Sequence, residues 1–256
     1  MFLLGLAVCV IVFQCITMRN LMRHLRKERE SNMMKGAFVG LISHEFRTPM
    51  ATIRASADLV AKFRNRLRPE EVDDSLKNIS DCVVRMTSMM DDILFLGKVQ
   101  NNQIKFYTKQ VDIVALFHEI VRDVDNASGN RRVVMTSNVG AKCDLMLDQM
   151  LIYHIGANLL SNALKYSGKD KKVELYVGLD EGFLIIKVTD HGIGIPKNEI
   201  ENLFDLFHRC SNVGGKSGIG MGLFMIRQCV SLHGGTVTLQ TLENVGSTFT
   251  VKIPIE

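Results

Sequence analysis
From Gly36 to about Gly97 side chains of one character recur in alternating steps of three and four. Val39, Ile42, Phe46, Pro49, Ile53, Ser56, Val60 and Phe63 make one row, and Val72, Leu76, Ile79, Val83, Met86, Met90 and Ile93 make another. A mean step of about 3.5 residues is a heptad seam, the signature of helices packed lengthwise. Between the rows, residues 65–71 (NRLRPEE) are polar and hold a proline, which predicts a helix–helix turn. Phe38, Leu41, Thr48, Thr52, Ala55 and Leu59 add a second row that widens the first helix's face. Two helices cannot cover so broad a face, so the pattern predicts a dimer that closes a four-helix bundle.

Within the first helix, residues 43–49 read SHEFRTP. His44 falls midway between the seam residues Ile42 and Phe46, on the opposite side, and Thr48 lies one turn on beneath the same strip. His44 is therefore expected to face water. Pro49 has no N–H to donate to the carbonyl four residues upstream, and its ring is expected to bend the helix beside the histidine. Taken alone, an exposed helical histidine is an ordinary solvated side chain.

The first eighteen residues, MFLLGLAVCVIVFQCITM, carry no charge. At 1.5 Å per residue they span roughly 27 Å, enough for a bilayer core. Arg19, Arg23, Arg26, Lys27 and Arg29 follow, and basic residues after an apolar span put that side in the cytoplasm. The expectation is a single-pass membrane helix over 1–18, then a basic linker over 19–35. The six cysteines are scattered without a CxxC pair, which suggests reduced thiols and neither a zinc site nor a redox pair. A net charge of +4 gives no reason to expect a nucleic-acid partner.

After Asn101 the pattern changes to helices alternating with paired strands. QVDIVALFHEIVRDV reads as an amphipathic helix, RRVVMTSNV as a strand, and 148–167 as a helix. KVELYVGL and FLIIKVTD flank a tight turn; IENLFDLFHR reads as a short helix; GMGLFMIRQCVSLHGG is a helix with a Gly-Gly stop. TVTLQT and STFTVKIP close the chain as strands. This predicts an α/β sandwich, a mixed sheet with helices on one face.

Four polar spots interrupt that pattern. Asn158, Asn162 and Lys165 fall on one stripe of an otherwise apolar helix. Asparagine offers a neutral oxygen suited to Mg²⁺ when phosphates supply the charge, and lysine suits a phosphate. Asp190 ends a strand and is followed by Gly192 and Gly194; a carboxylate there can accept from the exocyclic amine of adenine, whereas guanine presents an acceptor. Gly218, Gly220 and Gly222 lead into a helix and can bring N–H groups to phosphates. The stretch is not a P-loop, because the required first glycine is Cys210, nor a dinucleotide fingerprint, because the third glycine is Leu223. Arg209 follows Phe204 and Phe207 where a lid begins.

Together these stretches resemble the sensor histidine kinases of bacterial two-component systems over roughly residues 36–256. SHEFRTP is similar to the family's phosphoacceptor box, NLLSNALKYS to its N box, DHGIGIP and GIGMGL to its glycine boxes, and ENLFDLFHR to its phenylalanine box. The resemblance implies an α+β chain: a dimerisation and phosphotransfer domain over 36–100, then an ATP-binding domain of the gyrase and chaperone type over 104–256. It implies that His44 takes the γ-phosphoryl of ATP, with Glu45 as base and Thr48 positioning water for dephosphorylation of a partner. Asn158 would hold Mg²⁺, with Asn162, Lys165 and Tyr166 around the nucleotide. Asp190, helped by Thr248, would read adenine; Arg209 would steady the transferred charge; 211–217 would be the lid. The partners implied are a second copy of the chain and the receiver domain of a response regulator, carried on another chain or a missing part. His191 stands where many relatives have asparagine, and Lys216-Ser217 where Gly-Thr is common, which bears on the lid. The alternative is a signalling scaffold, a pseudokinase that binds nucleotide without turnover.

Overall fold
A computed structural model describes residues 39–40, 42–63, 66–101, 103–129, 132–168, 170–214 and 218–255. The expected membrane helix over 1–18 and the linker over 19–35 lie outside the described residues. Among the described residues no helix is long and apolar enough to cross a membrane. The chain divides into two compact units between Val83 and Val84.

The first unit is a helical hairpin. Helix α1 runs over residues 42–63, and α2 spans Pro69–Gln100. Pro69 occupies the first turn of α2, where a missing N–H costs nothing. Glu71 reaches back to accept from the Arg68 N–H at 2.8 Å, closing the helix start as a reciprocal cap does. That bond, with help from the Arg68 guanidinium, holds the Glu71 carboxyl below its ordinary range. Pro49 is buried inside an unbroken helix.

The seam of α2 differs from the sequence pattern at every second position. Val72, Ile79, Met86 and Ile93 are half-buried as expected, but their partners are Ser75, Cys82, Met89 and Leu96. Leu76, Val83 and Met90 stand 53%, 50% and 53% exposed. A helix carrying suitable residues at both i+3 and i+4 offers two seams, and its alternation alone does not choose between them. Ser75 is tolerated inside because its hydroxyl donates to the Glu71 carbonyl at 2.8 Å.

The second unit begins with the last turns of α2, where Phe95 and Leu96 are buried and the Phe95 ring lies 5.0 Å from that of His154. Strand β1 (Lys109–Asp112) and helix α3 (Ile113–Ser128) follow. The sequence reads both as one helix; the chain instead switches at Asp112, whose carboxylate caps α3 by accepting from the N–H groups of Val114 and Ala115. Strand β3 (Asp144–Leu147), too short to show a period, pairs antiparallel with β1. The main sheet is β2 (Val133–Ser137), β4 (Val173–Asp180), β5 (Phe183–Asp190), β7 (Gly246–Pro254) and β6 (Thr236–Leu242), in that spatial order. Only the β2–β4 pair is parallel, so the sheet is mixed.

Helices α3, α4 (Gln149–Tyr166) and α5 (Gly222–Leu232) bury their apolar faces with this sheet. Phe117, Ile120, Ile155, Leu160, Leu175, Leu184, Ile186 and Val251 are all 0% exposed. A Cβ on Gly156 would stand 2.9 Å from the Phe117 ring, so only glycine lets α3 and α4 approach this closely. The expected helix over 200–209 is absent. Bonds there close only three-residue steps, as from Asp205 N–H to the Asn202 carbonyl, and Phe207 turns left-handed at φ 67°.

Both ends of α4 are pinned. At its start Asp148 accepts from the N–H groups of Met150, Leu151 and Tyr107. The Asp148 N–H in turn donates to His233 Nε2 at 3.3 Å, and His233 Nδ1 lies 2.9 Å from the Cys229 carbonyl. The donor at Nδ1 and acceptor at Nε2 require a neutral ring, and burial lowers the His233 pKa. In the unfolded chain histidine titrates near about 6.5. The stabilisation is thus complete above that value and is lost as pH falls through the lower folded value. The urea midpoint of His233→Gln is expected to lie below wild type at pH 7.5, with the gap narrowing toward pH 5. A gap that stays constant or widens contradicts the neutral ring.

Candidate phosphoacceptor and nucleotide sites
On α1, His44 and Thr48 are exposed on one strip, while Glu45 and Phe46 are half-buried. The histidine has the open address that the heptad geometry requires. Its exposure follows from the seam: each residue that turns Ile42 and Phe46 inward turns His44 outward.

In the second unit, Asn158, Asn162, Lys165 and Tyr166 are half-buried along α4, between fully buried Leu159, Leu160 and Ala163. Asn158 Nδ2 donates to the His154 carbonyl at 2.9 Å. This fixes the amide and turns its oxygen toward the start of α5. A Cβ built on Gly222 would sit 2.9 Å from Asn158 Oδ1, so the glycine keeps the space over that oxygen open. Asn162 Nδ2 borders the same space, and Lys165 Nζ lies beside Gly218. The Lys165 ammonium also stands 4.9 Å from the centre of the Tyr166 ring. The α5 N-terminus, a neutral amide oxygen and an ammonium thus converge. That set suits a metal-bound polyphosphate.

The opposite wall is the end of the sheet. Asp190 is 7% exposed and accepts from the Gly192 N–H at 2.8 Å. Burial pushes its carboxyl above the ordinary range, against the N–H groups of Gly192 and Ser247 and the charge of His191. Gly192 bridges to Ser167 at the end of α4, and Gly194 (φ 62°) packs against the Leu242 carbonyl. Gly220, at φ 76°, packs against the chain at Phe207 and His208.

Register corrects one assignment. Asp190 pairs with Ser247 and Thr189 with Thr248. Directly opposed residues share a face, and successive ones alternate. Thr248 therefore points away from Asp190, and its hydroxyl lies 3.0 Å from that of Thr189. Ser247 occupies the inner position, 2.9 Å from the Thr241 hydroxyl, and Thr241 accepts from the Ile195 N–H at 3.0 Å. This chain of hydroxyls ties the first glycine loop to β6. The sequence pattern misses it by one residue, since Ser247-Thr248 offers two hydroxyls and only pairing tells which faces in.

Arg209 is exposed, and its charge works against the burial that raises the Tyr166 phenol. His191 points outward to Glu174, 3.3 Å away. Asn212 Nδ2 donates to the Gly194 carbonyl at 3.0 Å, so the expected lid starts tied to the glycine loop. Lys216 and Ser217 lie outside the described residues. Arg132, which no motif signals, donates to the carbonyls of Leu164 and Gly168 and so closes the end of α4 beside the site.

The described residues thus form a helical hairpin with an exposed histidine and an α/β lobe with a polar helix face, a two-part architecture. Comparison with known proteins agrees. Residues 34–102 match the family described as His Kinase A (phospho-acceptor) domain. Residues 147–256 match the family described as Histidine kinase-, DNA gyrase B-, and HSP90-like ATPase. The chain is 29% identical over 236 residues to sensor histidine kinase WalK of Bacillus subtilis (strain 168), covering 89% of this chain and 38% of that protein. It is 27% identical over 264 residues to sensor histidine kinase RcsC of Escherichia coli (strain K12), covering 98% and 27%. Among solved structures, histidine kinase AdeS of Acinetobacter baumannii shares the fold with TM-score 0.59 at 21% identity, covering 83% of this chain and 98% of that one. Full-length ShkA in complex with AMPPNP shares it with TM-score 0.58 at 20% identity, covering 85% and 45%. The chain belongs to the two-component sensor histidine kinases. It spans less than half the length of WalK and RcsC.

The register generates a direct comparison. Ser247→Val is expected to weaken binding of a fluorescent ATP analogue about fivefold, while Thr248→Val leaves it within about twofold, since a lost hydrogen bond is worth about 1 kcal/mol. The reverse order of effects contradicts the inner position of Ser247.

Proposed function
We propose that this chain phosphorylates itself on His44 with ATP and passes the phosphoryl group to an aspartate in the receiver domain of a response regulator. The observation that carries the reading is the α4 face, where the oriented Asn158 oxygen lies against Gly222 at the start of α5 and the Lys165 ammonium against Gly218 just before it. Phosphoryl transfer needs positioning and charge neutralisation more than covalent help from the protein. Asn158, Asn162, Lys165 and Tyr166 grip the triphosphate, Asp190 with Ser247 reads adenine, and Gly192, Gly194, Gly218, Gly220 and Gly222 let the backbone close around the nucleotide. Asn158 would hold Mg²⁺, which would neutralise charge on the phosphates.

A ring nitrogen of neutral His44 attacks the γ-phosphorus, ADP leaves, and Glu45 orients the ring and takes its proton. Arg209 steadies charge on the transferred group. Thr48, on the same strip as His44, positions water when the phosphorylated regulator is hydrolysed. The chain acts as a homodimer. Leu76, Val83 and Met90, seven residues apart and about half exposed, are a heptad row that a second hairpin would cover. Residues 1–18 hold the assembly in the bacterial inner membrane with the catalytic part in the cytoplasm.

Incubation of the purified chain with γ-labelled ATP and Mg²⁺ tests the proposal. The expected result is an acid-labile, alkali-stable label that disappears in His44→Gln and falls at least about a hundredfold in Asn158→Ala, whereas ADP binding by His44→Gln is unchanged. Label retained in His44→Gln overturns the assignment of the acceptor.

A further inference from the structure
Outside the nucleotide face, the described residues hold a cluster of three metal-ligating side chains, and no role assigned above uses it. The ligand atoms of Glu199, His208 and Cys210 lie within 4.8 Å of one another. Glu199 and Cys210 are buried at 9% and 8% exposure. His208 Nε2 is sealed from solvent, has no hydrogen-bond partner among the described residues, and faces Glu199 Oε2 at 3.6 Å. A buried imidazole nitrogen aimed at a carboxylate without bonding it is a costly arrangement. The backbone also pays to make it. Phe207 is left-handed, with its N–H donating to the Gly220 carbonyl at 3.0 Å, and this reversal turns His208 and Cys210 back toward Glu199.

We propose that Glu199, His208 and Cys210 form a site for a zinc-class divalent cation at the root of the lid. One thiolate, one imidazole and one carboxylate suit Zn²⁺ and not Mg²⁺, and three protein ligands leave a fourth position for water. Around a tetrahedral zinc the ligand atoms stand about 3.5 Å apart, so the cluster needs only a modest contraction by side-chain rotation. On binding, the Cys210 S–H, which otherwise donates to Glu199, releases its proton to solvent and the sulfur bonds the metal. Glu199 carries the bonds that anchor the next segment, from the N–H and hydroxyl of Ser211. Metal on that carboxylate therefore acts on the first residue of the lid. His208 and Cys210 also bracket Arg209, so the metal fixes the chain on both sides of a residue assigned above to the transferred phosphoryl. The spacing of the cysteines conceals the site, because its ligands come from two turns and only one is a thiol.

Cobalt serves as the spectroscopic probe. The full chain, reduced and stripped of metal, is titrated with Co²⁺ without nucleotide. The expected result is a thiolate-to-cobalt charge-transfer band that saturates at one equivalent and is displaced by Zn²⁺. The band is lost in Cys210→Ser, and cobalt affinity falls at least about tenfold in His208→Ala, a partly exposed position. No such band in the wild type, or one that Cys210→Ser retains, overturns the site. A second arm rests on the nucleotide reading: Zn²⁺ should slow release of a fluorescent ATP analogue several-fold in the wild type but not in His208→Ala. A rate that zinc leaves unchanged overturns the action on the lid and leaves the cobalt result to decide the site.

Discussion
The second unit is organised around one buried carboxylate. Asp190 ends the central strand β5, is nearly sealed from solvent, and depends on N–H donors from two sides, Gly192 and Ser247. Burial opposes its charge and the donors restore part of what burial takes, so the group has every reason to accept another hydrogen bond. The glycine loop is shaped to deliver the Gly192 N–H, and β7 to deliver that of Ser247. Thr241 then ties that corner to β6 and to Ile195. A change at any of these positions alters the environment of the carboxylate.

The facing wall obeys a similar logic. Asn158 can present its oxygen because the other end of its amide is committed to the His154 carbonyl. That commitment has value only if α4 is itself fixed, and the helix is held at one end by Asp148 with His233 and at the other by Arg132. Gly156 draws α4 onto α3, while Gly222 holds open the space above Asn158. Packing, caps and site are thus consecutive steps of one argument along a single helix.

Much of this was legible in the sequence, for identifiable reasons. The long periodic helices announce themselves, and the exposure of His44 follows from the seam that excludes it. The stripe of Asn158, Asn162 and Lys165 follows from helical geometry alone. Where sequence and structure part, the missing information is tertiary. Leu76 and Ser75 compete for one seam, and the hydroxyls of Ser247 and Thr248 compete for one face; both choices are made by partners remote in sequence. Strands β1 and β3 are too short to carry a period. The expected helix after Ile200 is defeated by Phe207, whose left-handed backbone serves the contact with Gly220. Arg132 and Thr241 belong to no motif and gain their roles only through the fold.

The central claim is that the Asp190 corner recognises the amine edge of adenine. Titration of the full chain with ATP and with GTP, for the wild type and for Asp190→Asn, addresses it most directly. A hydrogen bond to a charged group is worth about 1.5–3 kcal/mol, and guanine offers an acceptor where adenine offers a donor. The account predicts that the wild type binds ATP at least about tenfold more tightly than GTP, and that Asp190→Asn loses most of that preference. Equal affinity of the wild type for both nucleotides, or a preference that survives in Asp190→Asn, would contradict it.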